Sequence, residues 1–392
     1  MSGANSQTVQ LATIILLMTR FCLIGPTYPY RGGIAHYTTL LAQHLQEAHE
    51  VLLLSFSRQY PAWLFPGKSD KDPSERPLQT EAYYELDPLN PLTWRRTLRQ
   101  IGIWQPDVVI IPWWHPYFAP VWTALGYGIR RLKPRSKLIF ICHNVRPHEQ
   151  GRFSKILLPR ILKTVLSRAN GFIVHSQADK AILLDVLPQA TVAVSPLPTY
   201  AALGSEGSTK LPVDLPTDRP LMLFCGLVRP YKGVDILLEA MALLKRPVHL
   251  LIAGEFWQGG QASYQAQIEQ LGLANCVTII NNYLPDELLA ACIDRANVVV
   301  LPYRSATQSA VVQTAFGRGK PVITTNVGGL AEAVEDGRTG LIVPPENPPA
   351  MAAAIERYFA EGLEDIFGEN VVEGNGRFGW EKLTTTLQQL AA

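Results

Sequence analysis

Arg229 and Lys232 stand three residues apart in the run GLVRPYKG, directly after an apolar stretch and directly before a helical pattern. Two cations on a loop entering a helix can reach a diphosphate, arginine with a planar fork and lysine with a point charge. The plainer reading of the same residues is a basic surface turn. A second run, PYRSATQSAV over 302–311, follows another apolar stretch. Its Thr307, Gln308 and Ser309 leave the first backbone amides of a helix, through Ala310 and Val311, open to phosphate oxygens. Ser and Thr also serve as ordinary helix caps. His143 follows the strand-like KLIFIC, so it emerges where chemistry gathers in parallel sheets, unless it is a structural loop histidine. Its spacing to His148 matches no common metal motif and no Cys or Asp completes a set, so no protein-bound metal is expected.

The elements that must place these residues follow a repeating pattern. Residues 21–25 form a short apolar run, then come Gly32 and Gly33, then helical spacing at Ile34, Tyr37, Leu40, Leu41 and Leu45, then a second apolar run over 51–54. That is strand, glycine turn, helix, strand. Residues 57–92 are rich in Pro, Ser, Lys and Asp and read as an excursion. Strands are expected at 108–111, 137–142 and 171–175, with helices near 119–131 and 153–168. Residues 201–219 read as a linker. The pattern restarts with strands at 221–225, 248–253, 277–280, 298–302 and 321–324 and helices at 234–244, 263–271, 285–291 and 309–317. Short apolar runs without alternation suit parallel strands buried on both faces. Two such arrays predict two doubly wound α/β domains with the ligand crevice at the carboxyl ends of the strands.

Composition agrees with two domains and narrows the partners. The chain has 392 residues, 47% hydrophobic and 17% charged, enough for a large core and too apolar for a disordered protein. A formal net charge of +2 argues against a dedicated nucleic-acid binder. Residues 1–200 carry +9, however, and residues 201–392 carry −7. Eleven Lys/Arg and one acid, Glu149, fall within 130–168, beside Trp113, Trp114, Tyr117, Phe118 and Trp122. A basic amphipathic surface with aromatics reads as an interfacial contact with an anionic membrane or a polyanion site, or as a solvated face. The five scattered cysteines fit a reducing, cytoplasmic setting. The apolar stretch 11–18 is too short to span a membrane, and residues 1–17 read as a disordered or misassigned extension.

The second half resembles the nucleotide-sugar-dependent glycosyltransferases of family 4, whose fold is the two-domain GT-B. The matching runs are GLVRPYKGVDILLEA, LLIAGE, ANVVVLPY and GRGKPVITTNVGGLAEAVEDGRTGLIVPPEN. In the first half, Gly32-Gly33-Ile34 resembles the family's glycine loop and His143 its histidine facing the donor sugar. The FGWEK run at 378–382 resembles the tail whose last helix crosses back to the first domain. One departure stands out. The family commonly has two glutamates eight positions apart before G-x-P-V, one at the sugar and one at the ribose; here the positions hold Ala306 and Thr314. The Ala-Thr-Gln-Ser run with Arg-Pro-Tyr-Lys-Gly resembles a branch of the family.

The resemblance implies an acceptor-side domain over 18–200, the linker 201–219, a nucleotide-sugar domain over 220–368 and a returning helix within 369–392. The implied activity is retaining transfer of a hexose from a UDP- or GDP-sugar to a hydroxyl acceptor, glycan or lipid-linked, in the cytoplasm or at the inner face of the cell membrane. His143, Arg229 and Lys232 would be catalytic. Gly32, Gly33, Gly226, Thr307, Gln308, Ser309, Ala310 and Val311 would bind the donor, without a bound cofactor or nucleic acid. The rival readings are another GT-B activity (an inverting transferase, a phosphorylase or an epimerase) and an inactive nucleotide-sugar-binding partner.

Overall fold

The computed structural model describes residues 18–61, 63–65, 67–146, 152–204 and 209–392. The expected extension 1–17 lies outside them, as do 205–208 of the expected linker and 147–151 of the basic segment.

The first sheet holds seven parallel strands: β1 (Arg20–Ile24), β2 (Glu50–Phe56), β3 (Tyr83–Leu86), β4 (Val108–Trp113), β5 (Lys137–Cys142), β6 (Gly171–Val174) and β7 (Val192–Val194). They lie in the order β3-β2-β1-β4-β5-β6-β7. The second sheet holds β8 (Leu221–Cys225), β9 (His249–Ala253), β10 (Val277–Ile280), β11 (Val298–Leu301), β12 (Val322–Thr325) and β13 (Gly340–Val343), in the order β10-β9-β8-β11-β12-β13, again all parallel. Central strands such as LMLFC and VVVL are buried at every position, which explains why they show no alternation. The first sheet has a separate apolar cluster on each face, and the second sheet packs into one continuous cluster.

Strand order reverses between β1 and β4 in one sheet and between β8 and β11 in the other. A crevice opens at the carboxyl ends of the strands at such a point. The loops leaving β1, β8 and β11 are the glycine loop, the Arg229/Lys232 loop and the Thr307–Ser309 run, so topology alone brings the three together.

The expected excursion is more ordered than its composition implied. It contains β3, and it ends in helix Pro91–Trp104, which the sequence reading missed. Asn90 caps that helix by accepting from the Leu92 amide at 3.1 Å, with proline in the first turn. β7 and β13 are also additional, being short strands at the sheet edges.

The two halves are tied by several elements. Helix Trp380–Ala391 packs on helix Gly33–Gln46 of the first half, and the Trp380 indole donates to the Thr199 carbonyl at 3.0 Å. Leu383 and Leu387 are fully buried among Phe21, Leu41 and other first-half side chains. Glu332 accepts from the Gln177 and Ala178 amides at 2.8 and 3.0 Å, placing a carboxylate at the positive end of helix Gln177–Val186. Among the described residues no helix is long and apolar enough to cross a membrane.

Candidate active site

Two helices from opposite halves begin at the same place. The chain leaving β1 turns through Gly32, whose φ of +100° suits glycine and strains any side chain, and enters helix Gly33–Gln46. A Cβ built on Gly33 would sit 3.4 Å from that of Ala310, the first residue of helix Ala310–Gly317. At both starts helix geometry leaves the first amides without intrahelical partners and puts a positive dipole end there, a combination that attracts anions. Ser309 stands at the cap position of the second helix but makes no side-chain cap bond, so it does not occupy those amides.

The two expected cations lie close by. Lys232 Nζ is 3.1 Å from where a Gly226 Cβ would be, and Gly226 in turn abuts Val311. Burial, together with the Arg229 charge, pushes the Lys232 ammonium down to about 8. Arg229 lies over the Trp257 ring at 4.8 Å, and its buried Nε has no hydrogen bond among the described residues. The loop between them is clamped from outside. The Arg304 amide donates to the Tyr231 carbonyl at 2.7 Å, and its guanidinium donates to Pro230 O at 2.7 Å and to both Asp235 oxygens at 2.9 and 2.6 Å. Sequence reasoning did not single out Arg304, because one arginine after a strand carries no signal of its own.

A cavity of about 310 Å³ opens between the halves. Of the expected residues, Gly32, Gly33, Gly226, Ala310 and Val311 form part of its wall; His143, Arg229, Lys232, Thr307, Gln308 and Ser309 lie outside it. His143 sits behind Tyr37, with ring centroids 4.5 Å apart, and is 6% exposed. Burial, and next the His175 ring beside it, hold its pKa well below the ordinary histidine value, so it is a neutral imidazole. The neighbouring Asn144 accepts from the Thr307 hydroxyl, joining the loop after β5 to the loop after β11. Gln308 packs against Gly329.

The wall also holds charged residues that the sequence did not nominate: Arg31, His36, Glu255 and Asp286. Arg31 bonds Glu255 across the cleft at 2.6 Å, with both side chains buried, and stacks on Tyr283 at 4.3 Å. Glu255 uses its other oxygen to accept from the Lys68 amide at 2.7 Å. His36 Nε2 lies 3.2 Å from Asp286 and 3.5 Å from Asp72. Burial alone would lower the His36 pKa, but the Asp286 and Asp72 carboxylates outweigh it and raise it to about 9. The three lie close enough to share a cation, with which the proton favoured by the raised His36 pKa would compete. Asp72 and Lys68 belong to the excursion, which therefore reaches over the cleft. These residues are distant in sequence and follow no spacing rule, so only the fold gathers them.

Comparison with known proteins fits this architecture. Residues 219–361 match the family described as glycosyl transferases group 1, and residues 32–198 match the glycosyl transferase 4-like domain. D-inositol 3-phosphate glycosyltransferase 2 of Catenulispora acidiphila is 32% identical over 193 residues, 45% of this chain and 44% of that protein. Alpha-D-kanosaminyltransferase of Streptomyces kanamyceticus is 33% identical over 157 residues, 39% of this chain and 40% of that protein. The chain thus matches half or less of the length of these curated relatives. Among solved structures, sucrose-phosphate synthase from Thermosynechococcus elongatus superposes with a TM-score of 0.71 at 22% identity, over 95% of this chain and 98% of that one. HepE of Anabaena, solved in complex with UDP, gives 0.67 at 18% identity over 95% and 100%. The two matched segments together take in most of the chain, one in each half of the two-sheet α/β fold, and on that ground the chain belongs to the group 1 glycosyltransferases of GT-B fold.

Proposed function

We propose that this protein is a retaining glycosyltransferase that moves a hexose from a UDP- or GDP-sugar to a hydroxyl acceptor. The observation that carries the reading is the convergence of two helix N-termini, at Gly33 and Ala310, beside Lys232. A diphosphate fits that arrangement because it is an anion with many acceptor oxygens and no donors. As the bond between the sugar's anomeric carbon and the diphosphate breaks, negative charge grows on the leaving oxygen. Arg229, Lys232 and the amides from Ser309 onward stabilise that charge, and the departing phosphate takes the proton of the incoming hydroxyl. His143, a neutral imidazole, positions the sugar or its hydroxyl in this reading. The closed cleft, fastened by Arg31–Glu255, keeps water from acting as acceptor.

The acceptor in this reading is a glycan or lipid-linked hydroxyl compound bound by the first half. The relatives named for D-inositol 3-phosphate and kanosaminyl transfer agree with a hydroxylated ring as acceptor or donor sugar. Membrane contact is proposed through the exposed part of 130–168, where Leu132, Leu157, Arg160 and Lys163 face solvent. Co-sedimentation with anionic vesicles, lost in high salt, checks that contact; equal pelleting with neutral vesicles counts against it.

The test of transfer is a panel of UDP- and GDP-sugars against sugar, cyclitol and lipid-linked acceptors, with the anomeric configuration of the product read by NMR. Retention supports the proposal, and inversion overturns its stereochemical part. A protein that binds nucleotide but transfers to no acceptor favours the inactive binding partner. That reading draws on the missing carboxylates at Ala306 and Thr314.

A further inference from the structure

We propose that Asp286 recognises the nucleoside half of the donor by accepting hydrogen bonds from its ribose hydroxyls. The inference rests on the donor-site reading above and names a residue of that site.

The two carboxylates of the wall differ in how far their oxygens are already engaged. Glu255 and Asp286 both line the cavity. Glu255 is saturated, with one oxygen on Arg31 and the other on the Lys68 amide. Asp286 is 1% exposed, and neither of its oxygens has a conventional hydrogen bond among the described residues. His36 approaches only Oδ1, at 3.2 Å, which offsets the charge and leaves Oδ2 without a donor. A buried acceptor left bare costs about 1–3 kcal/mol, a cost that a bound ligand with O–H or N–H groups removes. The Ser74 hydroxyl accepts from the Asp286 amide at 2.9 Å and donates to Asp72 at 2.6 Å, so the residue is held in place from the excursion.

Position then identifies the ligand's part. Helix Ala310–Gly317 begins at Gly33, where the diphosphate is placed, and presents Thr314 further along the same cavity. Four residues of helix advance about 6 Å, roughly one ribose beyond the phosphates. Segment 200–204 ties that end to Asp286. Tyr200 N–H donates to the Gln313 carbonyl, while Gly204 packs on Ala290 and on the Asp286 carbonyl. Thr314 does not compete as a donor, because its hydroxyl donates to Ala310 O at 2.8 Å. A carboxylate only accepts, phosphates only accept, and the ribose diol supplies donors whatever the base.

Titration calorimetry of UDP, 2′-deoxy-UDP, GDP and 2′-deoxy-GDP tests the assignment on the wild type and on Asp286→Asn. The wild type is expected to bind a ribonucleotide about tenfold tighter than its deoxy counterpart, and the variant to lose that preference. Equal binding of ribo and deoxy forms by the wild type overturns the proposal whether or not the variant folds. So does a preference that survives in Asp286→Asn, or a loss confined to GDP and independent of the 2′-hydroxyl, which marks base recognition. A wild type that binds none of the four overturns the donor-site reading itself, a result distinct from losing only the hydroxyl preference.

Discussion

The guanidinium of Arg31, one residue before the glycine loop of the first half, meets the carboxylate of Glu255, two residues after β9 of the second, at 2.6 Å. Both side chains are nearly withdrawn from solvent, at 9% and 6% exposure, so neither charge has water as an alternative partner. The contact exists only when the halves are together, which makes it a fastener of the closed cleft.

Breaking that pair from one side leaves a buried charge without a partner, which costs about 3 kcal/mol in comparable sites. Glu255→Gln is therefore expected to lower the melting temperature and raise the KM for the donor. The double variant Arg31→Met/Glu255→Gln is expected to recover part of the stability, because no charge is left stranded. Differential scanning calorimetry of the single and double variants checks this; losses that simply add count against a direct coupling.

Donor affinity should fall with rising pH through about 8. Burial, with Arg229 adjoining, has already lowered the Lys232 ammonium to that value, so above it the donor site loses the Lys232 charge. Binding of UDP measured from pH 6.5 to 9.5 is expected to weaken several-fold across that point. Lys232→Arg, which stays charged, is expected to flatten the profile even where it binds less well.

His36 gives a pH profile in folding stability rather than in donor affinity. Its pKa is raised from 6.5 to about 9 by Asp286 and Asp72 against the opposing effect of burial, so the folded state binds the proton more tightly than the unfolded chain. The resulting stabilisation is fully present below pH 6.5 and is lost as pH rises through about 9. The gap in melting temperature between wild type and His36→Gln is expected to be widest near pH 6 and to close by pH 10. Comparing the two proteins cancels groups such as Lys232 that titrate nearby; a gap independent of pH contradicts the protonated clasp.

What could be read from the sequence follows from what local pattern encodes. Central strands were legible because a parallel strand buried on both faces must be an unbroken apolar run, as in LMLFC or the LIFIC of 138–142. The three loops of the site were legible because glycines, paired cations and small hydroxyls cluster next to such runs. β3 and helix Pro91–Trp104 were not. YYEL is half exposed at a sheet edge, and the helix buries only Thr93, Thr97 and Ile101, so neither carries a strong apolar pattern. Arg31, His36, Asp72, Glu255 and Asp286 escaped for a different reason. Each is an ordinary charged residue in its own segment and gains a role only when the halves close.

The most direct test of the site is calorimetric titration of UDP and GDP into the wild type and into Arg229→Ala/Lys232→Ala. Each lost charge-assisted contact is worth about 1.5–3 kcal/mol, so the double variant is predicted to bind its preferred nucleotide at least about a hundredfold more weakly while keeping the wild-type fold. Undiminished binding by the double variant would place the diphosphate elsewhere and contradict the account.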